Sequence, residues 1–383
     1  MKRPFAAAVA TLGFLAPLTP LTAQTTTPKP AAQSPAAPAT KKPWAVPRTP
    51  DGKPDLQGNW TNETQTPLER IGGGGATLTD AQAKAVEDRA LLVEEHRDKA
   101  SDPNRPAPPK GGESGRLAAP GQPSFIEIIS EAAGGGVGGY NGFWLDPGLN
   151  VIRIDGVPRS SIIIDPPTGR FPALTDAGKK RLAELNAKAR RVPEFDHPEA
   201  RPLADRCLVS FGSNAGPPML PNYFYNNNYT IVQTKDTVVI FTEMVNDARI
   251  IRLNDKSHGP AAVKKWYGDS IGRWEGDTLV VETTNIHPMQ LEQTSILWAY
   301  RGASENLKVT ERFTRTGPDT ILYRFTLEDP AIFTAPITGE LPFSRLNEMI
   351  YEYACHEGNY AMENILKGER SKERTAAEAK KQQ

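Results

Sequence analysis

The chain has 383 residues, 38% of them hydrophobic and 23% charged, enough for one large domain or two modest ones. The 45 Lys and Arg residues balance 45 Asp and Glu residues, and no basic stripe stands out, so neither nucleic acid nor an anionic membrane surface is expected as the main partner. The 35 prolines and 32 glycines ask for many turns, as in β-rich proteins.

Lys2 and Arg3 precede the apolar run "FAAAVATLGFLAPL". The run is too short and too Pro-interrupted to span a membrane and reads as a signal peptide over 1–23, cleaved near Thr22 and Ala23. A mature protein exported to the periplasm or the medium, with no membrane span, is the expectation. Residues 24–43 are rich in Pro, Ala and Thr, cannot bury a core, and are expected to be a disordered linker. Export gives the two cysteines their meaning. In an oxidising compartment Cys207 and Cys355 are expected to pair, closing a long loop worth up to about 5 kcal/mol in the chain-entropy account. Cys355 is then neither a nucleophile nor a metal ligand.

Residues 44–205 mix helices and loops. "LTDAQAKAVEDRALLVEEHRDKA" starts a helix at Thr79, with Gln82 placed for a reciprocal cap. "VIRIDGVPRSSIIIDPPTGRFP" reads as two strands around a Gly156 turn. A second helix, "LTDAGKKRLAELNAKARR", stops before Pro193.

Residues 206–365 are expected to be an antiparallel β-barrel-like region, its strands concentrated between about 222 and 355. "YTIVQT", "TVVIFTEMV" and "ARIIRL" give three strands joined by two-residue turns, Asn246-Asp247 being the stronger turn signal. "GRWE" and "TLVVETTN" form a hairpin on Gly276-Asp277, with Gly276 suited to the first position of a II′ turn and Trp274 set across from Leu279. "ENLKVTERFTRTGPDTILYRFTLEDP" is a third hairpin. Consecutive strands without helical crossovers favour a closed, lipocalin-like barrel or a sandwich, so the class is α+β, mainly antiparallel β, with an N-terminal helix and loop region. Residues 366–383 are charged and lack apolar periodicity, as in a solvated tail or frayed helix.

The motifs exclude more than they assign. "GGGVGG" at 134–139 contains G-x-G-x-x-G, but "YNGFWLDPG" follows it instead of the helix that would meet a pyrophosphate. No cofactor is therefore expected. The five histidines, His96, His197, His258, His287 and His356, show no ligand spacing, so no metal is expected either. Carboxylates inside strands are more informative. Glu311 shares its face with Leu307, Val309 and Phe313, and Glu243 shares one with Val239, Phe241 and Val245. A carboxylate facing a core must be paired, or its pKa rises into the range useful for proton transfer. The structural alternative is an ion pair with Arg249, Arg252 or Arg312. His356, beside Glu357 and Cys355, is the best general-base candidate, against a histidine merely hydrogen-bonded at a strand end. Among the aromatic residues, Tyr225, Tyr229 and Trp298 are candidates to line a pocket.

The strings "SSIIIDPPTGRFPALT", "YNNNYTIVQT", "GDSIGRWEGDTLVVETTN" and "YEYACHEGNY" resemble a large family of secreted bacterial proteins over about residues 44–365, a resemblance that implies one recurrent secreted unit and carries no activity. The strand pattern also resembles calycin-type barrels. The leading expectation is an exported barrel binding a small, partly apolar or aromatic molecule. One alternative is a cofactor-independent lyase, isomerase or hydrolase, with Glu311, Glu243 or His356 moving protons and Arg249 stabilising negative charge. Another is a structural or surface-interaction protein. Oligomeric state is not legible.

Overall fold

The computed structural model describes residues 44–97, 146–191, 195–222, 225–294 and 299–381. The expected signal peptide, the linker, the glycine-rich 134–139 stretch and Trp298 lie outside these residues.

Helix α1 spans Asp80–Arg97, and its start is the expected reciprocal cap. The Gln82 backbone N–H donates to Thr79 Oγ1 at 3.2 Å, and the Thr79 N–H donates to Gln82 Oε1 at 2.9 Å, so two otherwise orphaned donors are satisfied. A short hairpin follows, β2 (Arg153–Ile154) and β3 (Val157–Pro158), turning at Gly156. Helix α2 spans Asp176–Arg191 and ends ahead of Pro193.

The remaining strands are β1 (Gly58–Thr61), β4 (Ile163–Asp165), β5 (Asn228–Gln233), β6 (Thr237–Thr242), β7 (Asp247–Arg252), β8 (Asp269–Glu275), β9 (Thr278–Thr284), β10 (Lys308–Gly317), β11 (Thr320–Glu328) and β12 (Ile337–Arg345). They form one sheet in the order β1-β5-β6-β7-β8-β9-β10-β11-β12-β4, and β1 also pairs with β12. The second pairing closes nine strands into a barrel, with β4 pairing the start of β12 on the same edge that β1 takes at its end. A closed ring leaves no free edge. Its interior is built by strict alternation: Val309, Glu311 and Phe313 of β10, Ile321, Tyr323 and Phe325 of β11, and Tyr229 and Ile231 of β5 are all buried. Because β1 and β4 come from before residue 206, the strand pairing does not respect a boundary at 205/206.

The hairpin at Gly276 forms as expected. Trp274 faces Leu279, and Gly276 has φ +59°, the left-handed value that the first position of a II′ turn needs. One other turn differs. Strands β6 and β7 pair Thr242 with Asp247, so their connection is 243–246 and the turn falls ahead of Asn246-Asp247. Val245 and Asn246 both take left-handed φ, 61° and 53°. Of the two readings of the C-terminal residues, the structure has the helical one, since helix α3 runs over Tyr360–Lys381 with no buried residue.

The largest departure from an antiparallel meander is at β7–β8, which run parallel and pair only Ile251 with Ser270 and Arg252 with Ile271. An alternating up-and-down ring needs an even number of strands. With nine, one neighbouring pair must be parallel, and parallel neighbours need a long crossover. Residues 253–268 are that crossover. Gly272 of β8 lets this weak seam close, because a Cβ there would meet Ile251 Cγ2 at 2.8 Å and Leu253 Cδ2 at 2.9 Å.

Candidate functional site

The candidate residues fall into three places. Glu311 is fully buried, as its strand parity requires, and meets Arg249. The guanidinium donates from Nη1 to Glu311 Oε2 at 2.7 Å and from Nη2 to Oε1 at 2.9 Å. Tyr323 donates its hydroxyl to Oε1 at 2.8 Å and accepts the Met219 N–H at 2.9 Å. Burial works against the charge of Arg249, and the adjacent Glu311 outweighs it, holding the guanidinium above its ordinary pKa. Arg252 and Arg312 serve other carboxylates, Asp269 and Glu275.

An irregular run, 212–222, is buried throughout. Buried irregular backbone needs hydrogen-bond partners, and tyrosines inside the barrel supply several. Tyr229 donates to Asn214 O at 2.8 Å and Tyr300 to Pro217 O at 2.6 Å. Tyr229 also stacks on Phe343, with ring centroids 5.3 Å apart. The structure therefore puts Tyr229 in the core.

The second place is the segment 351–356. Glu243 is buried, but it sits past the end of β6, outside the strand alternation that pointed to it. It accepts the Tyr351 N–H at 2.9 Å and the Asn228 side-chain amide at 2.8 Å, and so ties that segment to the barrel. Tyr225 lies between Phe211, edge-on at 6.4 Å, and Tyr353, stacked at 6.3 Å. Cys355 is bonded to Cys207, with Cα atoms 5.7 Å apart. His356 is exposed and lies away from the Arg249–Glu311 pair.

The third place is the seam, where sequence reasoning had named no candidate. A crevice of about 280 Å³ opens there between the ends of β7 and β8 and their crossover, lined among others by Arg252, His258, Val263, Lys265 and Asp269. Its floor is Asp269, whose side chain is 4% exposed. Asp269 accepts from Arg252 Nη1 at 2.8 Å and Nη2 at 2.9 Å, from Lys265 Nζ at 2.9 Å, and from the Gly259 N–H at 3.0 Å. His258 Nδ1 lies 3.3 Å from Asp269 Oδ2. The Arg252 hydrogen bonds, opposed by burial and aided by Gly259 and Lys265, hold the Asp269 carboxyl well below the usual carboxylate range. Arg252 Nε is taken by Asp255. Pro260 and Val263 add an apolar wall to the crevice.

One sequence signal could have found this place. Near neighbours in the chain pair through tight turns, whereas "ARIIRL" and "DSIGRWE" are separated by a long run holding His258 and Lys265. Such a connection marks a crossover. Among the described residues no group of His, Cys, Asp or Glu is arranged to hold a metal ion, and no helix is long and apolar enough to cross a membrane.

No family model matches the chain, and no curated protein matches it. Solved structures of two point mutants of the fluorescent protein UnaG are similar to it at 14% and 16% identity, over 32% of this chain and 72% of theirs, with TM-scores of 0.19 and 0.18. At those scores the likeness carries no argument, and the barrel rests on its own strand pairing. The chain is a closed, mainly antiparallel β-barrel with a polar crevice at its one parallel seam.

Proposed function

We propose that this chain is an exported barrel protein that binds a small molecule in the seam crevice, through a polar head on the Asp269 floor and a small apolar body against Val263. The observation that carries this reading is the crevice itself. Its volume of about 280 Å³ lies near the lower edge of the range for small-molecule pockets, and its lining is mainly polar and charged, with Pro260 and Val263 as a small apolar wall. The residues first expected to hold a ligand inside the barrel support that location less well. Tyr229 donates to the 212–222 run, and Arg249 and Glu311 satisfy one another. Export is supported by the N-terminal charge and apolar pattern and agrees with the Cys207–Cys355 bond.

Calorimetry with benzoate, benzamide and benzyl alcohol tests the reading, since these probes share an aromatic body and differ in the head. At least one should bind, and Val263→Trp, which fills the crevice from an exposed wall position, should abolish that binding without lowering Tm. Binding that survives Val263→Trp, or no binding by any of the three, would refute it.

A further inference from the structure

We propose that the seam crevice hydrolyses small esters, with His258 as the general base toward water, Asp269 as its positioning residue and Lys265 as the donor to the oxyanion. This rests on the crevice being the ligand site.

The contact between His258 and Asp269 is the central observation. Asp269 Oδ2 lies 3.3 Å from His258 Nδ1. An ionised carboxylate only accepts, so Nδ1 carries the hydrogen and Nε2 carries the lone pair. Asp269 stays ionised because Arg252 meets both of its oxygens and Lys265 and Gly259 add further donors. Two other imidazoles, those of His197 and His287, are set the opposite way. His197 Nδ1 accepts the Glu199 N–H at 3.2 Å and His287 Nδ1 accepts the Met289 N–H at 3.3 Å, so each caps a short helical turn. His287 also stacks on Trp266, with centroids 4.1 Å apart. Among the described residues, His258 is thus the histidine whose ring is oriented by a carboxylate, and it lines the crevice.

The surrounding charges suit a neutral substrate. Arg252 is held by Asp269 and Asp255, and Asp269 also takes Lys265, so the crevice carries no large excess of either sign. Lys265 lines the same crevice and is 52% exposed. Its ammonium carries three donors, and the bond to Asp269 leaves others to face a carbonyl oxygen.

The step balances without any further reagent. A water oxygen attacks the ester carbonyl carbon while His258 Nε2 takes one of its protons, and the carbonyl π pair moves to oxygen, where Lys265 Nζ donates to it. Collapse of the tetrahedral species re-forms the carbonyl and breaks the carbon–alkoxide bond. The leaving oxygen takes the proton back from His258, giving one acid and one alcohol. His258 ends neutral, as it began.

The test uses the full chain with 4-nitrophenyl acetate, following release of 4-nitrophenolate. The wild-type protein should hydrolyse it above the buffer rate. His258→Gln should lose about 10²–10⁴-fold in kcat at unchanged Tm. Lys265→Met should lower kcat more than it raises KM. For Asp269, which also closes the seam, the readout is the ¹⁵N resonance pattern of His258: an Nδ1–H tautomer in the wild-type protein that shifts in Asp269→Asn. Wild-type turnover at the buffer rate, or His258→Gln at the wild-type rate, overturns the proposal. If Val263→Trp blocks probe binding while His258→Gln leaves turnover untouched, the ligand site stands and the base does not. If Val263→Trp leaves both binding and turnover intact, the site itself has failed.

Discussion

Replacing Glu311 with Gln keeps the shape of the side chain and removes its charge inside the barrel. The structure sets what is lost. Arg249 is 4% exposed and Glu311 is 0% exposed, joined by two charge-assisted hydrogen bonds of 2.7 and 2.9 Å. Hydrogen bonds to charged groups contribute about 1.5–3 kcal/mol each, and Arg249 would stay buried without its counter-charge. Removing one partner of such a pair costs about 3–5 kcal/mol, a large share of the 5–15 kcal/mol typical of a folded domain. Tyr323 could still donate to the Gln oxygen, which places the expected loss toward the lower end of that range. Urea unfolding followed by tryptophan fluorescence should therefore show the midpoint falling with the slope unchanged. A second variant separates charge from shape. Arg249→Met combined with Glu311→Leu removes both ions and should recover most of the loss, because a buried pair contributes little against well-packed apolar side chains. The reasoning is refuted if Glu311→Gln costs less than about 1 kcal/mol, or if the double variant is the less stable of the two.

Three further outcomes follow from the same physical picture. Thiol titration of the denatured, unreduced protein should find no free cysteine at Cys207 or Cys355, and replacing both with Ser should cost about 2–5 kcal/mol by urea unfolding. Burial, with the charge of Asp146 added, pushes Glu63 up from 4.5 to about 8. The folded protein then keeps this proton after the unfolded chain has lost it, so stability should fall as pH rises across that window, by at most about 1.4 kcal/mol per unit. Glu63→Gln should flatten the dependence measured between pH 5 and pH 8, and an unaltered slope would contradict the assignment. At the seam, Gly272→Ala should cost about 1–3 kcal/mol and weaken probe binding, since the new Cβ meets Ile251 and Leu253 below 3 Å. A Tm equal to wild type would show that the seam has slack.

What was legible in the sequence was whatever depends on neighbours in the chain. Thr79 and Gln82 cap α1 from three residues apart, Gly276 turns its own hairpin, and the parity of Leu307, Val309, Glu311 and Phe313 depends only on the period of a strand. Parity places Glu311 inside but does not name its partner. Arg249, Arg252 and Arg312 were equal choices until the ring closed and set β7 and β10 where Arg249 could reach Glu311. Glu243 was expected inside by a parity that does not apply, because β6 ends at Thr242, and its burial comes from the turn and from Tyr351. Strand direction was illegible for a related reason, since apolar alternation reads the same in parallel and antiparallel neighbours. The crevice hidden at β7–β8 followed from that. His258 and Asp269 are separated by eleven positions of irregular chain, a spacing that matches no motif.

The position of the crevice has a topological cause. Eight of the ring's nine neighbour contacts are antiparallel; seven are longer ladders, which consume backbone donors and acceptors along their length, and the eighth, β1–β12, pairs only two residues on each strand. The ninth, between β7 and β8, also pairs two residues on each strand, because β8 starts beside the residues at which β7 ends. Side chains take over where the ladder ends. Arg252 closes β7 and Asp269 opens β8, and the bidentate bond between them spans the gap that backbone pairing leaves. An ionised carboxylate held this way has lone pairs to spare, and the crossover supplies the groups that use them, Gly259, His258 and Lys265. The chain thus gathers a charged, hydrogen-bonded cluster at one of the two places where its barrel is least sealed by backbone. A barrel of even strand number would have had no such junction. Any ligand chemistry of this protein that needs an ionised carboxylate beside a partly exposed imidazole is accordingly expected at the seam, and variants that lengthen β7–β8 pairing should shrink the crevice as they stabilise the ring.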